Sequence, residues 1–446
     1  MVNDIYHFRK KAPTKGLAPL DRKHLTGRGK KYMAGFKASS ELSNGVYSEY
    51  EIPSVMRASV LSIDSLKKVD EMSAQEAVEE SAELKGLIVN YDAVVPLGIT
   101  KDYIEKRGFD TFKSLRELFQ NALDEMELTT GKPEVNIKKD NIGTWIIDRG
   151  RGLKVEALSI GGTDKECWMR GYYGEGLKLA ASHFALSGIP VYIFTKRHVF
   201  KFVVIPKGSD NPPIFVLMGK ASKEAEGTEI LLYGLSIDDE MLNRMVSFYN
   251  RDLGGKKIAE IYSSSEECTY EKPSAIYDHP NLLYIRNMFV GNCSEVARRR
   301  SLLSYDLWWF RLDVSRTLMT YSVPKLFEEA AKIFSASENA RRKLMEKLLD
   351  SKMLTIKKLG GGVVIEFRPI FSIFEGHLFV YAFPKGMFDA ILEALDLKDK
   401  KHLVARATGE EDLEGAVKLG IIPFIVSEEL SEEFKQIPLL SEVVNK

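Results

Sequence analysis

Residues 114–128, SLRELFQNALDEMEL, place acidic and amide side chains at helical spacing. Glu117, Asn121 and Asp124 are four and three positions apart. At about 100° per residue they share one face of a helix, while apolar residues share the opposite face. Asn is unfavourable inside a helix because its amide competes with backbone hydrogen bonds, so its position between two acids favours a functional role. Taken alone, the pattern also fits an ordinary amphipathic helix whose polar face meets water.

A second segment, WIIDRGRGL (145–153), is an apolar strand that ends in Asp148 and continues directly into Gly150 and Gly152. An ionised carboxylate only accepts hydrogen bonds, so at a strand end it suits an exocyclic amine as its partner. Glycines adopt backbone angles that are closed to other residues and let a flat ring approach the main chain. Taken alone, this pattern also fits a plain turn.

A third segment, residues 158–186, is rich in glycine just before a helical pattern that begins near Leu177; its glycines are Gly161, Gly162, Gly171, Gly174 and Gly176. Backbone N–H groups at a helix start, together with the helix dipole, form an anion site. Lys178 would add a positive charge in the first turn. A lysine there is unfavourable against the dipole, which speaks against a purely surface role.

A fourth segment, GTEILLYG (227–234), opens a strand with Thr228. In this order and spacing, the four segments resemble the ATP-binding motifs of the GHKL superfamily, named after gyrase, 90-kDa heat-shock chaperones, histidine kinases and MutL. ELFQNALDE resembles its first box, DRGRGL its adenine-contacting box, GYYGEGLKLA its lid-closing glycine box and GTE its final threonine box. The likeness covers about residues 94–235, and four boxes with matching order are hard to reach by chance.

The resemblance implies a role for each matching residue. Glu117 would orient or deprotonate the attacking water, and Asn121 would bind Mg²⁺, which bridges the phosphates. Asp148 would accept a hydrogen bond from the adenine amino group, with Thr228 in support. A magnesium ion bound to a nucleotide takes few protein oxygens and keeps waters, so one Asn can suffice as its protein ligand.

The glycines and the lysine complete the implied site. Gly150 and Gly152 would shape the adenine pocket, while Gly174 and Gly176 would place amides on the phosphates. Lys178 would add its charge there, and Asp124 matches the first box with only a supporting role. Alignment of the nucleophile and neutralisation of charge do most of the work of phosphoryl transfer.

A weaker likeness continues beyond this unit. LYIRNMFVGN and FRLDVSRTLMTY resemble the transducer domain that follows the ATPase module in these families. By that resemblance Arg316 would reach the γ-phosphate, with a surface arginine as the alternative. The arginine run at 298–300 fits a solvated or partner-facing loop better than a catalytic element.

Other features of the chain match no family motif. None of the seven histidines lies in the His-Glu context of a sensor-kinase phosphoacceptor helix, which argues against autophosphorylation within this chain. The basic arm formed by residues 1 to about 45 is either a solvated flexible end or an arm that contacts a partner protein or nucleic acid. Residues 376–446 also match no motif.

The composition is that of a soluble globular protein of two or three domains. Among 446 residues, hydrophobic types make up 44% and charged types 28%, and 63 basic residues balance 63 acidic ones. The overall charge therefore gives no argument for nucleic acid or membrane binding. Three cysteines, odd in number and without metal-ligand spacing, favour a reducing compartment and no zinc site. Without a secretory or membrane-spanning pattern, we expect a cytoplasmic protein that binds no membrane.

Helical and strand patterns predict an α+β fold. A helix near 100–106, a long helix from about 110 to 128 and a strand at 144–148 precede apolar, strand-like runs at 191–194, 201–205, 214–217 and 228–233. This arrangement indicates a layered α/β sandwich, and the resemblance implies the Bergerat type, a mixed sheet covered by helices. The expected units are a basic arm with a helical extension (1–93), an ATP-binding domain (94–250), a transducer-like α/β domain (251–375) and a small α/β segment (376–446).

The predicted function is Mg²⁺-dependent ATP binding and hydrolysis. Closure of a lid around residues 158–176 would favour docking of the second domain, and by resemblance would lead to a homodimer. Two alternatives stay open at this point. One is a phosphotransferase acting on a separate protein, and the other is an ATP-gated assembly protein without turnover.

Overall fold

The computed structural model describes residues 61–154, 158, 165–171, 175–206, 209–265, 268–310, 323–407, 412–426, 434–435 and 437–444. The basic arm, residues 159–164 and 172–174 of the predicted lid (Gly174 among them) and Arg316 lie outside these residues. The described chain contains helices and three β-sheets with antiparallel and mixed pairing, so the predicted α+β class is confirmed.

The first sheet contains six strands. They are β1 (Leu61–Ser62), β2 (Ile88–Thr100), β3 (Asn136–Asp140), β4 (Gly143–Asp148), β5 (Val191–Val204) and β6 (Pro213–Tyr233). Their order is β1-β2-β6-β4-β3, and β5 also pairs with β6, all antiparallel. Strand β6 is the centre of this sheet because β2 pairs with its first half, β4 with its second half and β5 with both. The separate apolar runs expected at 191–205 and 214–233 are thus two long strands.

Helices cover this sheet on the side that carries the candidate site. Helix α4 (Lys101–Lys106), the long α5 (Thr111–Thr130) and α6 (Gly176–Leu186) pack on an apolar core formed with β2, β4, β5 and β6. Helix α5 begins where the Asp110 side chain accepts a hydrogen bond from Lys113 N at 2.7 Å, and it ends at Gly131, whose φ of 75° is accessible mainly to glycine. The residues that cap the helix are thus separate from Glu117, Asn121 and Asp124, which lie in its middle.

The residues before β2 pack on the opposite side of the sheet. Helices α1 (Ile63–Lys67), α2 (Glu71–Val78) and α3 (Ala82–Lys85) precede β2, and the first two pack with β1 on residues of β2, β5 and β6. The Glu80 carboxylate accepts hydrogen bonds from two strand tyrosines and from Lys201 Nζ. The predicted boundary at residue 94 falls inside β2, so the helical extension belongs to the same packed unit.

The second sheet is mixed. Helix α7 (Asp239–Met245) leads to β7 (Lys257–Ser265), β8 (Cys268–Tyr277), β9 (Leu282–Ile285), β10 (Met288–Asn292), helix α8 (Cys293–Val296) and β11 (Ser304–Leu307). Their order is β10-β9-β11-β8-β7, with β11 parallel to β9 and antiparallel to β8. The stretch LYIRNMFVGN forms the β9–β10 hairpin, and Arg286 and Asn287 at its turn have φ angles of 55° and 66°.

The third sheet belongs to the carboxyl-terminal part of the chain. It contains β12 (Leu354–Leu359), β13 (Gly362–Phe367), β15 (Ile422–Val426) and β14 (Val404–Ala407) in that order. The helices of this part of the chain are α9 (Val323–Ala336), α10 (Glu338–Asp350), α11 (Phe374–Tyr381), α12 (Met387–Ala394), α13 (Leu413–Lys418) and α14 (Leu440–Val444). The apolar run HLFVYAF, which periodicity alone does not assign, lies largely in α11.

One apolar core joins the second and third sheets, because buried residues of β8, β9 and β11 share it with β13, β15 and the helices between. The fully buried carboxylate of Glu375 in α11 accepts hydrogen bonds from Ser301 Oγ and Tyr305 Oη, both at 2.7 Å. The predicted boundary at 375 therefore falls within a helix that is anchored on the second sheet. Within the described residues, no helix has the length and apolarity needed to cross a membrane.

Candidate functional site

The polar face of α5 is buried rather than solvated. Glu117 is 1% exposed and Asp124 is 0% exposed. The alternative of an ordinary amphipathic helix with its acids in water is therefore wrong for this helix. Burying ionised groups is costly unless they are paired, so their surroundings have to supply partners.

Glu117 lies directly against the start of α6. Gln120 Nε2 donates a hydrogen bond to Glu117 Oε2 at 2.8 Å. A Cβ atom on Gly176 would lie 2.1 Å from the same oxygen. Any side chain at 176 would displace this carboxylate, which lies next to the backbone at the helix start because residue 176 is glycine.

Lys178 is the third residue of α6 and is 0% exposed. Burial lowers the pKa of its ammonium group to about 8, while Glu175 acts in the opposite direction. The surface role that the helix dipole already disfavoured is excluded by this burial. An anion brought to the start of α6 would favour the charged form of the lysine.

Asp148 ends β4 and is paired in register with Thr228 of β6. The carboxylate is 5% exposed and accepts a hydrogen bond from Gly150 N at 2.8 Å. Burial raises the pKa of Asp148 to about 6, and the hydrogen bonds from Gly150 and Thr228 oppose that rise only in part. The two residues assigned to one pocket by sequence are thus neighbours across two strands.

The glycines around Asp148 are needed for close backbone approach. A Cβ on Gly150 would lie 2.7 Å from Glu125 Cβ, and Gly152 has a φ of 82° with Thr195 Oγ1 2.6 Å from its ideal Cβ position. Thr195 Oγ1 also accepts from Leu153 N at 2.9 Å. Sequence reasoning missed Thr195, because its contact with this turn comes from the pairing of β5 with β6.

Gly227 is a further residue that the sequence analysis did not assign. Its ideal Cβ would lie 2.4 Å from Asp148 O and 2.6 Å from Gly150 N. The available signal was its position directly before Thr228 in the GTE motif. Gly227 lets β6 pack against the turn that follows β4.

Asn121 faces a cation. Its Oδ1 accepts a hydrogen bond from Lys165 Nζ at 2.8 Å, and the same ammonium group donates to Asp124 Oδ2 at 2.8 Å. The Nδ2 atom of Asn121 is buried without a hydrogen-bond partner in the described part of the chain. Lys165 was not predicted, because no spacing rule connects a lid residue to a helix more than forty positions earlier.

Asp124 anchors the segment that leads to the glycine-rich box. Besides Lys165, it accepts hydrogen bonds from Arg170 N at 2.8 Å and Gly171 N at 2.9 Å. Burial acts to raise the pKa of Asp124, but Lys165, Arg170 and these hydrogen bonds hold it below its usual value. The carboxylate is therefore ionised, and it has a larger structural part than the supporting one expected.

Arg170 connects α5 to the second sheet. Its guanidinium group is 1% exposed, donates to Glu127 Oε2 at 2.7 Å and to Asn287 Oδ1 at 2.9 Å, and lies over the Trp308 ring. Asn287 in turn donates to the buried Asp306 at 2.8 Å. A continuous polar contact thus runs from Asp124 to β11.

A disulfide joins the same two regions. Cys167, just before Arg170, is bonded to Cys268 at the start of β8, across 101 positions of sequence. The pairing runs against the sequence argument that took an odd number of scattered cysteines as a sign of a reducing compartment. The spacing could not indicate this bond, because the packing of two sheets brings the cysteines together.

The remaining predicted residues are not in this cluster. Gly174 and Arg316 lie outside the described residues. The arginine run at 298–300 is a loop whose middle residue, Arg299, donates to Phe371 O at 3.2 Å and lies 2.9 Å from His377 Nε2. Arg298 and Arg300 are exposed.

The chain matches no known family model, and no curated protein matches it. The chemistry of the site therefore has to be argued from its residues. Their arrangement offers an ionisable acceptor beside glycines at the end of β4. It also offers a carboxylate and a buried lysine at the start of α6, and an amide oxygen already presented to a cation. Mg²⁺ prefers oxygen ligands, so Asn121 Oδ1 fits it chemically.

Proposed function

We propose that this protein binds ATP with Mg²⁺ and hydrolyses it, and that closure of the lid drives a conformational or dimerisation switch. The observation that carries the proposal is the convergence of the four motif segments. Glu117 of α5 lies against the start of α6, while the same helix packs on the turn after Asp148, which pairs with Thr228.

The adenine end of the proposed site is the turn after β4. An ionised Asp148 accepts a hydrogen bond from the amino group of the base, and Thr228 supports it. Gly150 and Gly152 leave the main chain open to a flat ring. A buried carboxylate beside such a turn is an acceptor whose strength is increased by the low local dielectric.

The phosphate end of the proposed site is the start of α6. Gly176 exposes backbone amides there, Lys178 adds positive charge, and Glu117 orients or deprotonates the attacking water. Asn121 holds Mg²⁺, which neutralises phosphate charge when bound. Gly174 and Arg316 belong to this proposal on the motif resemblance alone.

The family that this proposal implies is the GHKL superfamily with its Bergerat-type fold. An antiparallel sheet covered on one side by α5 and α6 supports the assignment, as does the mixed second sheet in the position of a transducer domain. Homodimer formation and a partner for the basic arm follow from the resemblance and the charge pattern. Function is argued from the site, because one fold serves several processes.

The test is a titration of the full chain with ATP and Mg²⁺, together with a measurement of phosphate release. Saturable binding that Asp148→Asn weakens by about tenfold or more and Asp140→Asn leaves unchanged is the expected result, because Asp140 lies at the far end of β4's partner strand. Binding without phosphate release would select an ATP-gated assembly protein. Transfer of label to another protein in excess of phosphate release would select a phosphotransferase. No binding at millimolar ATP would contradict the proposal.

A further inference from the structure

The ammonium group of Lys165 occupies the place where the proposed site needs a metal ion. It lies 2.8 Å from both Asn121 Oδ1 and Asp124 Oδ2. Its side chain is 13% exposed, and the Asp124 side chain is 0% exposed. A cation therefore already lies between two oxygen atoms on this face of α5.

The backbone next to this lysine is shaped to admit it. An ideal Cβ on Gly171 would lie 2.8 Å from Lys165 Nζ and 3.2 Å from Gln120 Nε2. Any side chain at 171 would therefore displace the ammonium group. Gly171 N also donates to Asp124, so the same glycine holds the carboxylate and leaves room for its counter-ion.

The segment that carries Lys165 is attached to the second sheet at several points. Cys167 forms the disulfide with β8, Trp168 O accepts from Trp308 Nε1 at 3.2 Å, and Met169 O accepts from the Arg286 guanidinium group. Arg170 donates to Asn287 of the β9–β10 hairpin. Movement of this short segment is therefore movement against the second sheet.

We propose that Lys165 is a tethered cation that occupies the metal position in the nucleotide-free protein and withdraws when a divalent cation binds Asn121. This inference rests on the proposed function for the location of the metal. Two cations cannot share the same oxygen pair at this distance, because their repulsion in a poorly solvated site is large. Metal entry and the position of residues 165–171 are consequently linked, and the link extends to β8–β11.

Coupling between metal binding and the position of residues 165–171 acts in both directions, so it can regulate the site. A change in the second sheet that pulls the 165–171 segment away from α5 raises the affinity for the metal. Binding of the metal releases the same segment from α5. Lys165 thus acts as a positioning residue that reports occupancy of the site to the second sheet.

The experiment titrates the nucleotide-free full chain with Mn²⁺ alone. The affinity for Mn²⁺ is measured from the electron paramagnetic resonance signal of the unbound ion. Lys165→Met removes the competing cation and leaves Asn121 and Asp124 in place, so we expect binding roughly tenfold tighter or more than in the wild type. Lys132→Met, an exposed lysine just beyond the end of α5, is the matched control for loss of one charge. It should bind Mn²⁺ as the wild type does.

Adding Asn121→Ala to Lys165→Met should cancel the gain, because the metal then lacks its amide ligand. Unchanged Mn²⁺ affinity in Lys165→Met, or a gain that persists without Asn121, would overturn the inference. If Lys165→Met does not fold, a measurement on the wild-type protein tests the inference instead. Saturating Mn²⁺ should raise the acetylation rate of Lys165, measured by peptide mass spectrometry, and leave that of Lys132 unchanged. An unchanged rate at Lys165 also overturns it.

These outcomes are separable from failure of the proposed function. ATP titration of the same proteins shows whether nucleotide binds at all. Competition between Mn²⁺ and Lys165 without any ATP binding would support the tethered role of Lys165 and contradict the proposed ATPase function. ATP binding with no effect of Lys165 on Mn²⁺ affinity would do the reverse.

Discussion

The two ends of the candidate site are built in different ways. At the end of β4, strand register fixes Asp148 opposite Thr228, and glycines at 150, 152 and 227 let the turn pack on its neighbours. At the base of the lid, side chains hold the chain in place through Lys165, Arg170 and a disulfide to another sheet. A pocket made by backbone pairing is rigid, whereas one made by ion pairs can be rearranged by a competing ion.

The same contrast explains what the sequence could predict. The face shared by Glu117, Asn121 and Asp124 follows from helix periodicity, and Asp148 with its glycines follows from a strand that ends in a turn. These are local patterns. The elements α4, α5, β4 and α6 were placed to within a few residues for the same reason.

What the sequence could not predict depends on long-range packing. In the sequence, nothing distinguishes Lys165 and Arg170 from the basic residues of an ordinary protein surface. They become buried partners of α5 only in the folded chain. The Cys167–Cys268 bond joins two sheets. Thr195 approaches Gly152 because β5 pairs with β6. None of these contacts has a sequence spacing that would reveal it.

The largest expected effect is on turnover. Glu117→Ala removes the group proposed to orient or deprotonate water, and a positioned general base typically contributes about 10² to 10⁴ in rate. Phosphate release should fall by that factor, while ATP affinity survives because the proposed adenine contacts lie on Asp148 and Thr228. Glu134→Ala, an exposed acid beyond the end of α5, should keep wild-type turnover.

Asn121→Ala should differ in kind from the Glu117 variant. It loses the amide oxygen proposed to hold Mg²⁺, so Mg²⁺-dependent affinity should drop together with the rate. Both variants are compared by phosphate release and ATP affinity at saturating Mg²⁺. Wild-type turnover in Glu117→Ala would defeat the mechanism even with the fold intact.

The next prediction tests the lid end alone. Cys167→Ser opens a loop that spans 101 positions, and loss of such a disulfide typically lowers the free energy of unfolding by about 2–4 kcal/mol. Urea denaturation without reductant measures the change. Adenosine affinity should stay near the wild-type value, because the turn after β4 does not depend on this bond.

Reductant is the internal control for the disulfide prediction. It should lower the urea midpoint of the wild type to near that of Cys167→Ser and leave the midpoint of the variant unchanged. A wild-type urea midpoint that does not respond to reductant would show that the bond contributes nothing to stability. Loss of adenosine affinity in the variant would show that the two ends are not separate.

The adenine end is tested by Asp148→Asn. Hydrogen bonds to charged groups contribute about 1.5–3 kcal/mol, so the variant should lose about 10- to 100-fold or more in ATP affinity.

The free energy of unfolding of the same variant should rise rather than fall near neutral pH. The folded-state pKa of Asp148 is raised from 3.8 to about 6, so its contribution to stability is present at low pH and is lost as the pH rises through about 6.

At pH 7 to 8 the ionised, buried Asp148 therefore lowers the free energy of unfolding by on the order of 3 kcal/mol, a cost that Asn does not carry. Thermal or urea unfolding at pH 7.5 should show Asp148→Asn to be at least as stable as the wild type, and the gain should disappear near pH 4. Undiminished ATP affinity in this variant would remove Asp148 from the adenine pocket. Lower stability at pH 7.5 would mean that the ionised carboxylate is well compensated.

The smallest expected effect is the pH dependence of base binding. In the proposed site, Asp148 would accept a hydrogen bond from adenine only when ionised, and burial raises its pKa in the free protein to about 6. Affinity should be constant above about pH 7 and should fall toward tenfold per pH unit below 6, because proton and base then compete for one carboxylate. Adenosine is the appropriate ligand, since it has no phosphate that titrates in this window. Asp148→Asn should bind weakly with no such slope. A wild-type profile that is flat down to pH 5 would mean that the base is held by backbone contacts of the glycine turn rather than by Asp148.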